Sequence, residues 1–175
     1  MEGTVKTMIK AILACDDYGG VSKDGTLPWP HNSTDLKWFK DNTEDNIIVM
    51  GSTTWEDPTM SGPLPNRTNI LVTTRKDDYP GAHKYVQGNL RDKIQNLAQK
   101  NENMITWIIG GPNIVEQTLD IIDEFYLSRI PGEYFCDTFL PLEKIEALFE
   151  RVWTEDHGLV EFQIWKKREK NETIS

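Results

Sequence analysis

The sequence predicts an α/β fold in three layers, in which helices flank a central mixed sheet whose strands are mostly parallel. Two observations lead to this prediction. Short apolar runs alternate with segments of helical periodicity over the first two thirds of the chain. After Glu124 the pattern changes to strands joined by a turn. We therefore expect an antiparallel edge at the carboxyl-terminal end of the sheet.

Four apolar runs are the predicted parallel strands. They occupy residues 8–15, 46–51, 69–74 and 104–110. Their apolar residues are nearly continuous rather than alternating, which is typical of strands covered on both faces. Because helical segments separate the runs, right-handed crossovers between parallel strands are expected.

The helical segments are predicted at residues 34–42, from residue 52 onward, at 89–100 and at 112–119. In the third of these, Leu90, Ile94 and Leu97 share one face, as in a helix that packs on a sheet. The later part of the chain predicts a strand at 125–131 and a short helix within 141–149. Two strands, 152–156 and 159–166, form a hairpin around His157 and Gly158.

Length and composition predict one domain that spans residues 1–175. A chain of 175 residues with 38% hydrophobic residues can build one core but is short for two domains. The core is expected at about residues 8–167, with polar tails at 1–6 and 170–175. No segment reaches the roughly 20 apolar residues that cross a bilayer, and no apolar signal core follows the start. We expect a monomer in the cytoplasm that binds no membrane.

The net charge of −9 argues against nucleic acid as a partner, because a surface that follows phosphates needs a basic excess. Cys15 and Cys136 have no second thiol or histidine at metal-ligand spacing. We expect both thiols to be buried and reduced, and we expect no metal site.

The segment 26–39 carries the strongest functional signal. It leads from a loop with two prolines into an apolar helix whose first turn holds one acid, Asp35. A lone carboxyl at the mouth of an apolar pocket is a candidate for proton transfer. The structural alternative is an ordinary helix start, capped by Ser33 or Thr34, with an acid favoured by the helix dipole.

Two strand ends carry glycine before a helix. Gly110 and Gly111 follow one apolar run and precede Pro112, and Gly51 follows another run before a hydroxyl-rich helix start. Glycine lets the backbone approach a ligand, and helix starts offer free amides to an anion. The pair suits the two halves of a pyrophosphate, whereas tight strand-to-helix turns are the alternative.

Two further segments are candidates for binding anions. Thr73, Thr74 and Arg75 follow a strand and suit a phosphate, although a solvated basic loop explains them equally well. Arg67 stands behind rigid prolines, where a guanidinium can bind a carboxylate through two bonds. A surface salt bridge is the alternative for Arg67.

Taken together, five motifs resemble the dihydrofolate reductase family in order and spacing. The resemblance covers about residues 8–167, nearly the whole chain. The matching segments are Leu27-Pro28-Trp29, residues 34–39 (Thr-Asp-Leu-Lys-Trp-Phe), residues 49–51 with Thr54-Trp55, residues 63–67 (Pro-Leu-Pro-Asn-Arg), and Ile109-Gly110-Gly111.

The resemblance implies hydride transfer from NADPH to C6 of 7,8-dihydrofolate, with protonation at N5, giving tetrahydrofolate. Asp35 matches the pocket carboxylate that binds the pterin amino group and promotes protonation. Trp29 matches a tryptophan that holds an ordered water nearby, and Leu27 matches the aliphatic residue of the mobile loop. Ser128 stands where the family commonly has a threonine bonded to the carboxylate.

The resemblance also implies a substrate site and the binding of antifolates. Arg67 matches the arginine that binds the α-carboxylate of the substrate. The other matched substrate residues are Ala11, Ile12, Leu36, Phe39, Pro58, Leu64 and Ile109. Among them, Ala11 matches part of the pocket wall, Ile12 matches the position whose backbone groups bond the nicotinamide carboxamide, and Pro58 and Leu64 match the lining of the benzoyl portion.

NADPH is the cofactor that the resemblance implies, with NADH less favoured. Gly110 and Gly111 match an unusual cis peptide of the family. The matched cofactor residues are Ala14, Gly20, Val21, Gly51, Ser52, Thr53, Thr54, Thr73, Thr74, Arg75, Ile109, Gly110, Gly111, Pro112, Asn113 and Ile114. Ser52 and Asn113 replace basic residues that many members carry, so the preference for NADPH depends on other groups such as Arg75.

Two alternatives to an active reductase stay open at this point. A module of the same fold that binds folate or nucleotide without turnover would not need the acid at position 35. A relative of the pyrimidine reductases of riboflavin synthesis would not need the Arg67 loop. Both Asp35 and Arg67 are present, which favours the reductase.

Overall fold

A computed structural model of the chain describes residues 8–59 and 62–169. Its strands are β1 (Ile9–Cys15), β2 (Gly20–Ser22), β3 (Ile47–Gly51), β4 (Thr68–Val72), β5 (Lys84–Val86), β6 (Thr106–Gly110), β7 (Glu124–Arg129), β8 (Thr138–Phe139), β9 (Phe149–Asp156) and β10 (Glu161–Lys167). Its helices are α1 (Ser33–Thr43), α2 (Ser52–Glu56), α3 (Leu90–Lys100), α4 (Pro112–Thr118) and α5 (Leu142–Leu148). The predicted tails at 1–6 and 170–175 lie outside the described residues.

The main sheet has eight strands in the order β5-β4-β3-β6-β1-β7-β10-β9. The pairs from β5 to β7 are parallel, whereas β10 is antiparallel to both β7 and β9. The predicted fold class, a mostly parallel sheet with an antiparallel carboxyl-terminal edge, is therefore confirmed.

Apolar side chains cover both faces of the central strands. All five residues of β3 and of β6 are buried. Alternate residues of β1 enter different clusters: Ile9, Ala11 and Cys15 belong to one buried cluster and Ile12 to another. This two-sided burial is why the runs are nearly continuous in the sequence.

Asparagine side chains cap two of the helices. The Oδ1 atom of Asn32 accepts a hydrogen bond from the amide of Asp35, at 3.0 Å, and thereby begins α1. The prediction that Ser33 or Thr34 caps this helix was therefore wrong, since the capping residue lies one or two positions earlier in the chain. Asn89 caps α3 in the same way, by accepting from the amide of Asp92.

A second sheet of two short strands lies beside the main one. In it, Gly20 pairs with Phe139 and Ser22 pairs with Thr138. The sequence did not predict β2, β5 or β8, because two or three residues are too few to show a period. The antiparallel pair β2–β8 matters for the site, since it forms part of the cavity wall.

Within the described residues, no helix is long and apolar enough to cross a membrane. The same part of the chain holds no group of three or more His, Cys, Asp and Glu side chains placed to bind a metal. Both cysteines are free thiols, but only Cys15 is fully buried and Cys136 is half-buried. The expectation that both thiols are buried was wrong for Cys136, which lies in the segment before β8.

Candidate active site

A cavity of about 640 Å³ opens at the carboxyl ends of β1, β3 and β6. This is the edge of a parallel sheet at which α/β proteins bind ligands. Of the residues that the sequence singled out, the cavity brings together Ile12, Ala14, Val21, Leu27, Asp35, Leu36, Phe39, Gly51, Ser52, Thr53, Thr54, Leu64, Ile109, Gly110, Gly111, Pro112, Asn113 and Ile114.

Asp35 places a single acid against the apolar part of this cavity. The bond from its amide to Asn32 fixes it in the first turn of α1. Burial raises the pKa of the Asp35 carboxyl above its ordinary value, and the nearby Ser128 hydroxyl lowers it in part. The group therefore keeps its proton to a higher pH than an exposed aspartate does.

Ser128 lies on β7, directly beside Ala14 of β1 in the parallel register. Its hydroxyl is buried and has no hydrogen-bond partner within normal geometry among the described residues. The hydroxyl is near the Asp35 carboxyl but does not form a regular bond to it. Ser128 itself does not line the cavity, so it acts on the site through Asp35.

Exposed apolar side chains surround the acid. Leu36 is 45% exposed and Leu27 is 37% exposed, although both are large and apolar. Both line the cavity together with Phe39, Leu64 and Ile109. Apolar surface of this kind, next to one polar group, suits a flat ring with one polar edge.

The opposite part of the cavity has the features of a dinucleotide site. A β-carbon added to Gly51 would lie 3.3 Å from Ile114 Cγ1, and one added to Gly110 would lie 3.1 Å from Thr54 Oγ1. Bare backbone therefore borders the cavity at both strand ends. The peptide bond between Gly110 and Gly111 is cis, as the resemblance implies.

Polar groups at these strand ends are available to a ligand. Gly51 and Gly111 precede α2 and α4, and neither helix start has a side-chain cap. The hydroxyl-bearing residues Ser52, Thr53 and Thr54 line the same region. Amide and hydroxyl donors suit phosphate oxygens, so the residues present fit a dinucleotide cofactor. None of the described lining residues is Lys, Arg or His.

Three of the residues that the sequence analysis named as site residues do not line the cavity but lie behind the residues that do. Ala11 is fully buried on the face of β1 opposite Ile12, because side chains alternate along a strand. Trp29 is buried and packs edge-on against the ring of Tyr134, at 5.9 Å between centroids. Gly20 lies in β2, where a β-carbon would be 2.5 Å from that of Cys136.

The candidate substrate residues Pro58 and Arg67 also lie outside the set that lines the cavity. Asp57 and Thr59, which flank Pro58 in the sequence, do line it. The Arg67 guanidinium lies over the ring of Phe39, at 5.9 Å. Its Nε donates to Thr43 Oγ1 and its Nη1 donates to the Pro65 carbonyl, so it is held beside the cavity.

Thr73 and Thr74 line a second cavity, of about 380 Å³, together with Lys76, Tyr85 and Gln87. Thr73, which lines this second cavity, directly follows Val72, which lines the main one. Arg75 lines neither cavity. Its guanidinium donates to the Tyr79 hydroxyl and pairs with Asp78 at 3.7 Å.

Several lining residues were not predicted from the sequence. Some were detectable: Leu13 lies between two predicted residues, and Gln117 is one helical turn from Asn113, to which it donates a hydrogen bond. The others depend on tertiary packing and are Ser22, Gly25, Asp57, Thr59, Val72 and Thr138.

The fold and the cavity fit an α/β protein that binds a flat ring beside a dinucleotide. A family model described as dihydrofolate reductase matches residues 8–164. The chain belongs to the dihydrofolate reductase family.

Individual relatives agree with this assignment. The dihydrofolate reductase type 8 of Escherichia coli is 27% identical over 168 residues, which cover 94% of this chain and 98% of the relative. A putative bifunctional dihydrofolate reductase-thymidylate synthase of Oryza sativa is 38% identical over 157 residues. The match covers 81% of this chain and 31% of the length of that relative. A solved dihydrofolate reductase from Enterococcus faecalis, complexed with NADP(H) and RAB-propyl, has a TM-score of 0.74. That structure is 26% identical, and the match covers 93% of this chain and 97% of the other.

Proposed function

We propose that Asp35 is the acid of an NADPH-dependent dihydrofolate reductase, which reduces 7,8-dihydrofolate to tetrahydrofolate. The observation that carries this proposal is a carboxyl with a raised pKa in an apolar cavity that also borders a dinucleotide site. A neutral imine accepts hydride poorly, and a protonated one accepts it well. The chain's part in the chemistry is therefore to supply a proton to N5 of the pterin.

Asp35 performs this task through its position and its environment. Its carboxyl binds the pterin amino group and promotes protonation at N5, and the surrounding apolar side chains keep it protonated to a higher pH. Ser128 moderates this effect by favouring the ionised form. Trp29, which is buried next to Tyr134, helps to hold an ordered water molecule near the acid.

The substrate lies against the exposed apolar wall. Leu27 and Leu36 exclude water from the pterin, with Ile12, Phe39 and Ile109 around it. Leu64 and the Pro58 turn lie along the benzoyl portion. Arg67 binds the α-carboxylate at the rim, since Thr43 and Pro65 already fix its guanidinium. Burial lowers the pKa of Arg67, although the nearby Glu44 and Asp45 oppose the shift, and the group stays cationic.

When bound, NADPH supplies the hydride. The residues that would hold it are the bare backbone at Gly51, Gly110 and Gly111 and the hydroxyls of Ser52 to Thr54. Thr73, Thr74 and Lys76 in the adjoining cavity extend this surface. Because no Lys, Arg or His is among the described residues that line the main cavity, discrimination between NADPH and NADH depends on this adjoining cavity.

We extend the proposal to the state of the protein in the cell. The chain is one domain and acts as a monomer in the cytoplasm, without nucleic acid or membrane partners. Antifolates bind in place of the substrate, against Asp35 and the apolar wall. Size-exclusion chromatography with light scattering tests the monomer directly.

The test of the function is loss of NADPH absorbance on mixing the protein with dihydrofolate, repeated with NADH. We expect rapid oxidation of NADPH that falls by about 10²- to 10⁴-fold in Asp35→Asn, the range for a lost proton donor. Asp41→Asn, which removes an exposed carboxylate of the same helix that pairs with Lys37 and does not line the cavity, is the matched control and keeps its turnover. Binding of both ligands without oxidation would favour a non-catalytic module instead.

A further inference from the structure

Asp16 is a charged residue at the end of the first strand, and nothing in the proposed chemistry uses it. It follows β1 directly and is only 1% exposed. A carboxylate removed from water is costly unless several donors compensate it. The surroundings of Asp16 therefore show what the group does.

Four donors surround the carboxylate. Its Oδ1 accepts hydrogen bonds from the amides of Tyr18 and Gly20, both at 2.9 Å. Its Oδ2 accepts from the amide of Tyr134 at 3.0 Å and from the Cys136 thiol at 3.7 Å. Burial alone would raise the pKa of Asp16, but the bonds from Tyr134, Gly20 and Tyr18 outweigh burial and lower it. The group is thus ionised in the folded protein.

The two oxygens bind two different segments. Oδ1 closes the loop between β1 and β2, and Oδ2 binds the segment that leads into β8. The two segments are in close contact, because a β-carbon on Gly20 would lie 2.6 Å from the Cys136 sulfur. Asp16 is therefore a cross-link at the base of the β2–β8 pair.

The β2–β8 pair in turn forms one wall of the main cavity. Val21 and Ser22 of β2 and Thr138 of β8 line it. Asp16 itself does not. Any loosening at Asp16 would move this wall relative to Ala14 and the Gly110–Gly111 turn, which do not depend on the cross-link.

We infer that Asp16 is a positioning residue, whose buried carboxylate holds the β2–β8 wall in place for the cofactor. The inference rests on the proposed function in one respect, the assignment of this wall to NADPH. Most of the substrate portion of the cavity is formed by α1 and the segment around Leu64, and neither donates a hydrogen bond to the Asp16 carboxylate among the described residues. Loss of the cross-link is therefore expected to weaken cofactor binding more than substrate binding.

The variant that tests this is Asp16→Asn. Its Oδ1 can still accept from Tyr18 and Gly20, but its amide nitrogen is a donor and faces the Tyr134 amide, another donor. Asp17→Asn is the matched control, since Asp17 is exposed and, among the described residues, its carboxylate accepts one hydrogen bond, from the Gly132 amide. Both variants lose one negative charge from the same loop.

Three measurements on the full-length protein decide the question. We expect the Kd for NADPH, measured by titration without substrate, to rise about tenfold in Asp16→Asn and to stay unchanged in Asp17→Asn. The KM for NADPH should rise equally, while kcat and the KM for dihydrofolate stay within about twofold. Amide hydrogen exchange should accelerate at residues 18–22 and 134–138 only in Asp16→Asn.

Unchanged NADPH affinity and unchanged exchange in a folded Asp16→Asn protein would overturn the inference, as would equal losses for both ligands. If Asp16→Asn does not fold, Asp16→Ala, which introduces no opposing donor, takes its place in the same measurements. Absence of turnover in the unsubstituted protein would overturn the proposed function alone. In that case the exchange and affinity results would still decide the role of Asp16.

Discussion

The side chain of Asn32 holds the backbone of Asp35 at 3.0 Å, so the residue that begins α1 also sets the position of the acid. The same side chain donates through Nδ2 to the Leu159 carbonyl, at 3.0 Å. The start of α1 is thereby tied to the loop between β9 and β10. The helix cap and the proposed acid are thus coupled in a single turn.

Asn32→Ala should therefore affect both stability and activity. Loss of the cap should lower the free energy of unfolding by about 1 kcal/mol. Because Asp35 also loses its fixed amide, kcat should fall by about tenfold. Asn89→Ala, which removes the cap of α3 away from the cavity, is the control. Asn89→Ala should lower the free energy of unfolding, measured by urea denaturation, by a similar amount and leave kcat unchanged. An equal fall in kcat in both variants would refute the coupling between the cap and Asp35.

Ser128→Ala should move the pH dependence of turnover. The rate falls as pH rises through the pKa of Asp35, because the proton is lost. The Ser128 hydroxyl favours the carboxylate and lowers that pKa, so its removal should shift the fall to higher pH. Thr106→Val, which removes another buried hydroxyl that has no hydrogen-bond partner among the described residues, should leave the profile in place. A shift to lower pH in Ser128→Ala would contradict this account.

Asp35→Asn should raise the thermal stability of the protein at pH 7. Burial raises the pKa of Asp35 in the folded state, so the ionised group opposes folding at neutral pH. This penalty is relieved as pH falls through the folded pKa. The gain in Tm over the unsubstituted protein should therefore shrink on acidification. Calorimetry at pH 7 and pH 4 measures the difference in Tm between the two proteins. A Tm of Asp35→Asn below that of the unsubstituted protein at pH 7 would show that the carboxylate stabilises the fold instead.

The thiols should react slowly in the native protein. Burial raises the pKa of Cys15 to about 12, and burial together with the nearby Asp16 raises that of Cys136 to about 11. At pH 8 roughly one Cys136 in a thousand is then a thiolate. We expect mass spectrometry to show slow alkylation by iodoacetamide, first at Cys136, and rapid alkylation of both thiols in urea. Rapid native labelling, or a disulfide, would be inconsistent with this environment.

Most of the strands that the sequence predicted are those in which burial leaves a pattern, whereas β9, with only Phe149 buried, was predicted from its place beside the turn at residues 157–158. The runs that became β3 and β6 are buried on both faces, so each residue carries the signal. The strand β5, by contrast, has only Val86 buried, and β8 has no buried residue. Such short strands depend on pairing with a neighbour, which the local sequence does not encode.

The site residues divide for a similar reason. Asp35 and Gly110 were predictable because acids and glycines stand out in apolar surroundings. The side chain of Ala11 does not line the cavity, because a resemblance gives a position in the chain but not the face of the strand. The contribution of Asp16 was not apparent at all, since its donors include amides of Tyr18 and Tyr134 that any residue would supply. Tertiary structure alone brings such groups together.

The position of β1 in the middle of the sheet has a consequence for biosynthesis. Its neighbours are β6 and β7, so that Ile9 pairs with Thr106 and Lys10 with Glu124. The ribosome synthesises β1 before β6 and β7, so β1 lacks both of its partners in the described sheet until residues 106–129 have emerged. Pairings so distant in sequence are slow to form. An apolar segment is left uncovered through much of translation, and this is the interval in which a nascent chain is most exposed to aggregation and to chaperones.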